Sequence, residues 1–288
     1  MTLSSAVGAG SRWNRWNTNP TRPRYAASPA HRGDTQPVDI DGSRIGPVER
    51  TEQVQQGGLA RARRPAALAA RDDSHKSPAW EAAVKRAEAL DEADAALNDL
   101  GITRAPSPLN DWQRPALSGL AIGDGPTLAD AARTLLTCHF RADVPGEIES
   151  AFGIHFAAQP LGPGFDGLSW RSEDTRIIVI NTDAAWSRQR FTPAHELGHH
   201  LPGDVDTRGL LVDTNVMSTG HRIPEMRANA FAAALLMPER EIRERITGRV
   251  TPPLFASLVG LFLVSSDALA WRLKNLGFVD DTERSDFG

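Results

Sequence analysis

The stretch FTPAHELGHHL, Phe191 to Leu201, constrains this chain more than any other, because it fixes two imidazoles and a carboxylate within one short segment. Thr192 is suited to cap a helix that starts at Pro193, where a missing N–H costs nothing, and Pro202-Gly203 is suited to end it. On such a helix His195 and His199 stand at i and i+4, one turn apart on one face, where two imidazoles can grip one tetrahedral metal ion. Glu196 lies between them, beside the coordination position that a catalytic ion keeps open, which is where a general base has to stand. The pattern is HExxH.

A catalytic zinc needs a third protein ligand. Schemes of the form HExxHxxGxxH or HExxHxxGxxD require Gly at 202 and His or Asp at 205, and those positions hold Pro202 and Val205. The remaining scheme takes a Glu from a second helix, and Glu225 opens the Ala-rich stretch PEMRANAFAAALLM. Asn229 is four residues on, on the same face, placed to hydrogen-bond the outer ring nitrogen of a metal-bound His. Ala232 and Ala233 are small enough there to let two helices approach closely. Asp204 and Asp206 are the competing third ligands, in the loop just past the helix. His200 points about 100° away from the ligand face. His221 is a candidate oxyanion or substrate contact, or an ordinary loop histidine. His139 and His155 read as partly buried histidines with no part in the site.

Composition bears on compartment and partners. Residues 1–77 carry 12 Lys and Arg against 7 Asp and Glu, whereas the remainder carries 20 against 29. A basic, Pro- and Gly-rich head on an acidic body reads as a disordered tail followed by a folded part. Within the head, Arg12-Trp13-Asn14-Arg15-Trp16-Asn17 pairs cations with aromatics, a composition that suits stacking on single-stranded nucleic acid, but a leader with no such role is the expectation. Cys138 is the single cysteine, so an internal disulfide and a Cys-based structural zinc site are both excluded. The first residues lack the apolar core of a signal peptide, and no window approaches about 18 consecutive apolar residues. A cytoplasmic location, without membrane association, is expected.

Along the chain, Ser77-Pro78 opens a helix with Gly101 just past its end and an apolar stripe at Trp80, Val84, Ala87, Leu90 and Leu97. Residues 102–126 read as a linker around Trp112. The folded body is expected from Thr127, with helices through Leu136 and over 145–152, then an extended segment at 153–156. DGLSW and RIIVI flank the turn-forming RSEDT as a β-hairpin, and the run Ile177 to Ile180 is apolar on both faces, as in a strand buried between layers. Residues 203–222 read as a Gly- and Asp-rich loop. Further helices are expected over 239–247, 253–262 and 266–276, the last N-capped by Ser265 and stopped by Gly277.

Arg190-Phe191-Thr192 through HELGHH, Glu225 to Ala232, and Leu235-Leu236-Met237-Pro238 together resemble the ImmA/IrrE family of metallopeptidases, whose pattern is close to RFTxAHELGHxL followed by ExxANxFAxxLLMP. Pro193 departs from it, at a position that is often aliphatic. The resemblance implies zinc ligands at His195, His199 and Glu225, with Glu196 as base. It also implies a substrate class, helix-turn-helix repressors of the phage type, whose cleavage derepresses a mobile element or a stress regulon. The expected fold is α+β: a zincin-like core over 127–238 with a small antiparallel sheet whose edge could hold an extended substrate, and a helix-turn-helix-like helical segment over 239–288. The core is preceded by a disordered region over 1–77 and a helix plus linker over 78–126. The alternative is a non-proteolytic regulator that binds a repressor or DNA, with a structural or vestigial metal site. On the last long helix only Arg272 and Lys274 could meet phosphates, so packing against the core is expected there rather than DNA binding.

Overall fold

Pleat and helix period sort the apolar residues onto two faces of one small sheet, and everything that positions the site follows from that. The computed structural model describes residues 77–288 other than 103–106, 173–174, 206–209 and 214–222, with backbone alone for 210–213. The basic head at 1–76 lies outside the described residues. Helices α1 (Pro78–Asp99), α2 (Ala121–Arg133) and α3 (Val144–Phe152) precede strands β1 (His155–Gln159), β2 (Gly167–Arg171) and β3 (Arg176–Asn181). Then come α4 (Trp186–His200), β4 (Leu210–Asp213), α5 (Ile223–Leu236), α6 (Glu239–Arg245), α7 (Pro252–Phe262), α8 (Ser266–Asn275) and α9 (Asp281–Phe287). The described chain is thus mostly helical α+β.

The sheet is mixed, in the order β1-β3-β2-β4. The expected hairpin forms, β2 running antiparallel to β3 with Trp170 opposite Ile177. β1, however, lies parallel to β3, with Ala157 opposite Val179, which corrects the antiparallel sheet expected from sequence. The physical reason is that β1 enters on the far edge of β3 while the tight turn commits β2 to the near edge. β4 pairs antiparallel with β2 inside what reads as a loop, because four residues, LLVD, are too short to show a period.

β3 is buried on both faces. Ile177 and Val179 join Leu168, Trp170 and Ala157 against Ala83, Val84 and Ala87 of α1. Ile178 and Ile180 face the other way, into a larger core with Phe191, Ala194 and Leu197 of α4, Phe231 and Leu235 of α5, and the C-terminal helices. The sheet is therefore a layer between α1 and α4. Ser77 caps α1 by accepting from the Trp80 N–H at 3.1 Å, as its position predicts. Leu97 is exposed and the packed stripe ends at Leu90, about two turns earlier than expected.

Two other expectations fail in instructive ways. α4 begins at Trp186, so Pro193 sits inside the helix rather than at its start. Its missing N–H leaves the Gln189 carbonyl without its i+4 donor, and burial of the surrounding turn supplies the stability that a helix-interior proline removes. α2 begins at Ala121, before the expected boundary, and lies along α5. The approach is close enough that a Cβ on Gly125 would fall 2.6 Å from Ala230 Cβ and from the Phe231 nitrogen.

The segment before α2 is no passive linker. Trp112 Nε1 donates to the Leu201 carbonyl at 3.2 Å and Arg114 to the Pro202 carbonyl at 2.6 Å, so both cap the end of α4. α9, which the sequence reading missed, carries a capping box between Asp280 and Glu283. Among the described residues no single helix is long and apolar enough to cross a membrane.

Candidate metal centre

α4 and α5 meet at Gly198, whose missing side chain lets α4 lie directly against Ala228 and Phe231 of α5. A Cβ on Gly198 would lie 3.0 Å from both Ala228 Cα and Phe231 Cδ1. That contact brings the buried face of α4 to the first turn of α5 and gathers His195, His199 and Glu225 into one cluster. His195 Nε2 and His199 Nε2 are 3.1 Å apart, and Glu225 Oε2 lies 3.5 and 3.4 Å from them. A tetrahedral ion with bonds of about 2.0–2.1 Å holds its donors roughly 3.3–3.4 Å apart, so this triangle fits such an ion.

The outer ring nitrogens decide which tautomer is present. His195 Nδ1 donates to Asn229 Oδ1 at 3.0 Å, and His199 Nδ1 donates to Asp204 Oδ2 at 3.2 Å. With Nδ1 as the donor on each ring, both Nε2 lone pairs are aimed at the triangle, where one cation can accept both. Asp204 is held in turn by Arg227 Nη2 at 2.5 Å from its other oxygen. Burial would raise the Asp204 pKa, but its hydrogen bonds with His199 and Arg227 outweigh it and hold the carboxyl below its usual range.

The charges complement one another. Burial favours a protonated Glu225, yet the two imidazoles hold its carboxyl well below the ordinary carboxylate range. Burial favours a neutral His199, yet Asp204 and Glu225 raise its pKa. The pocket is thus negative enough to draw a cation to the ring nitrogens.

Glu196 is fully buried on the sheet side of α4, where Ser169 Oγ donates to its Oε2 at 2.5 Å. The pleat that sends Leu168 and Trp170 toward α1 turns Gly167 and Ser169 toward α4. The sequence reading missed Ser169, and the signal available was the period-two pattern of DGLSW, whose small residues fall on the face opposite its apolar ones.

The other candidates separate cleanly. Asp204 supports a ligand instead of being one, and His200 is buried outside the cluster with its pKa pushed down to about 3 by burial and by Arg176. His139 is exposed, and His155 is half-buried beside Asp94 of α1. His221 and Asp206 lie outside the described residues.

With this geometry in place, comparison with known proteins gives the class. Residues 149–274 match the M78 peptidase family model, which is described as the IrrE N-terminal-like domain. Two relatives share it at a distance. The radiation response metalloprotease IrrE of Deinococcus radiodurans is 40% identical over 35% of this chain and 32% of its own length. That of Deinococcus deserti is 33% identical over 42% of this chain and 46% of its own. The chain spans less than half the length of these curated relatives.

Proposed function

We propose that this protein is a zinc-dependent endopeptidase of the cytoplasm. The observation that carries the reading is the triangle of three donor atoms from two helices, with a buried carboxylate one residue from the first ligand. Three protein ligands leave a tetrahedral ion one open position, whereas structural zinc sites close with four. The ligand set of two imidazoles and a carboxylate suits zinc. When bound, the ion supplies Lewis-acid polarisation of the scissile carbonyl. Glu196 takes the proton from the attacking water and passes it to the leaving amine. Asn229 and Asp204 keep the ligand imidazoles in one tautomer.

The substrate we propose is a helix-turn-helix repressor of the phage type, whose cleavage would derepress a mobile element or a stress regulon. The resemblance in the two motif blocks supports this, as do two relatives named for a radiation response. α7 and α8 cross at 107° over a three-residue break, an angle found in helix-turn-helix elements. Reading DNA with α8 is disfavoured, because Arg272 is buried with its Nε on the Met237 carbonyl and Lys274 pairs with Asp281.

Co-expression with a repressor encoded nearby tests the reading. The expected result is a discrete, chelator-sensitive fragment, with Glu196→Gln slowing its formation by about 10²–10⁴-fold. Release of intact repressor without cleavage would replace the endopeptidase by a non-proteolytic regulator.

A further inference from the structure

Glu196 has to hold one orientation without help from solvent, since none of its surface is exposed. Two features of β2 bear on that orientation independently. Ser169 Oγ has a single proton and two acceptors in range, the Glu196 carboxylate at 2.5 Å and the Glu196 backbone carbonyl at 3.4 Å. The shorter and charge-assisted bond takes it. Two residues back on the same face, Gly167 presents bare backbone to the other carboxylate oxygen. A Cβ there would fall 2.8 Å from Glu196 Oε1 and 2.5 Å from Thr192 Cγ2, one turn before Glu196 on α4.

We infer that Gly167 and Ser169 of β2 form the seat that orients the general base, with Ser169 as a positioning residue that acts through Glu196. This rests on the reading of Glu196 as base given above. The hydroxyl fixes one carboxylate oxygen and the missing side chain admits the other, so the side chain cannot rotate about its length. The seat belongs to the strand paired with β4 at the sheet edge, and it is distinct from the groups that hold the imidazoles. Ser169 should therefore govern proton transfer and leave metal affinity alone.

The test needs no knowledge of the substrate. Acetohydroxamate chelates a catalytic zinc and gives its proton to the neighbouring carboxylate, so its affinity reports the base. The zinc-loaded full chain is compared with Ser169→Ala, Ser169→Thr and Glu196→Gln, by chelator competition for zinc and by titration with acetohydroxamate. Zinc affinity is expected to stay within about twofold throughout. Acetohydroxamate affinity is expected to fall about tenfold or more in Ser169→Ala and Glu196→Gln, the scale of a lost hydrogen bond to a charged group, and to recover in Ser169→Thr. If Glu196→Gln weakens binding while Ser169→Ala matches wild type, the seat is overturned and the reading of the base stands. If Glu196→Gln itself matches wild type, the base reading fails and the seat with it. If Ser169→Ala loses zinc and Ser169→Thr does not restore hydroxamate binding, Ser169 is a structural residue and the inference is overturned.

Discussion

Asp204 joins two helices at one carboxylate: one oxygen accepts from His199 Nδ1 on α4 and the other from Arg227 on α5. Removing it frees the His199 ring to rotate and to change tautomer. Asp204→Ala is expected to weaken metal binding by about 10–100-fold while Glu196 keeps its place. Chelator competition at fixed pH reads this directly, and affinity equal to wild type would exclude the supporting role.

Glu225 contributes the only carboxylate of the triangle, from the first turn of α5. Glu225→Ala should lower metal affinity by more than about a hundredfold, beyond the cost of losing a supporting residue. Because the ligands span α4 and α5, metal also binds only the folded state. At a free concentration of about 100 times Kd it stabilises the protein by about 2.7 kcal/mol. Stripping the ion should lower the melting temperature of wild type and leave that of Glu225→Ala nearly unchanged.

The contact at Gly198 sets the spacing of the two ligand helices. An added methyl meets Ala228 backbone and the Phe231 ring, neither free to move. Gly198→Ala is expected to destabilise the fold by about 1–3 kcal/mol despite the better helix propensity of alanine. Metal affinity should fall with it, and denaturant unfolding with and without metal separates the two effects.

Acid stability depends in part on Asp124, near the start of α2. Burial alone would raise its pKa, but its carboxylate accepts from Ser118 Oγ and N–H at 2.8 and 2.7 Å and from the Gly119 N–H at 2.9 Å, and the net shift is downward. A carboxylate depressed in the folded state adds stability that is present above its unfolded pKa of 3.8 and is lost as pH falls through the lower folded value. The stability gap between wild type and Asp124→Asn should therefore be full at neutral pH and close below pH 3.8. A gap that stays constant down to the acid limit would assign the effect to packing.

The candidate metal cluster was legible because its residues are set by local spacing. His195, His199 and Asn229 are fixed by i, i+4 geometry, and Glu225 by exclusion of the nearer schemes. What was not legible depended on distant partners. Pro193 carries a helix-start signal, and α4 overrides it because the turn around it is buried. The side of β3 that β1 joins is set by the turn committing β2 to the other edge, which no periodicity in β1 encodes. Ser169 is an ordinary strand serine until the pleat places it under Glu196.

The caps at the end of α4 come from Trp112 and Arg114, and the helix lying closest along α5 is α2, all of them upstream of the homologous stretch at 149–274. Where similarity to relatives stops is therefore not where cooperative folding stops. A fragment trimmed to the homologous residues would keep every ligand and lose the scaffold that clamps one ligand helix against the other. Its failure to bind metal would report on the truncation rather than on the chemistry.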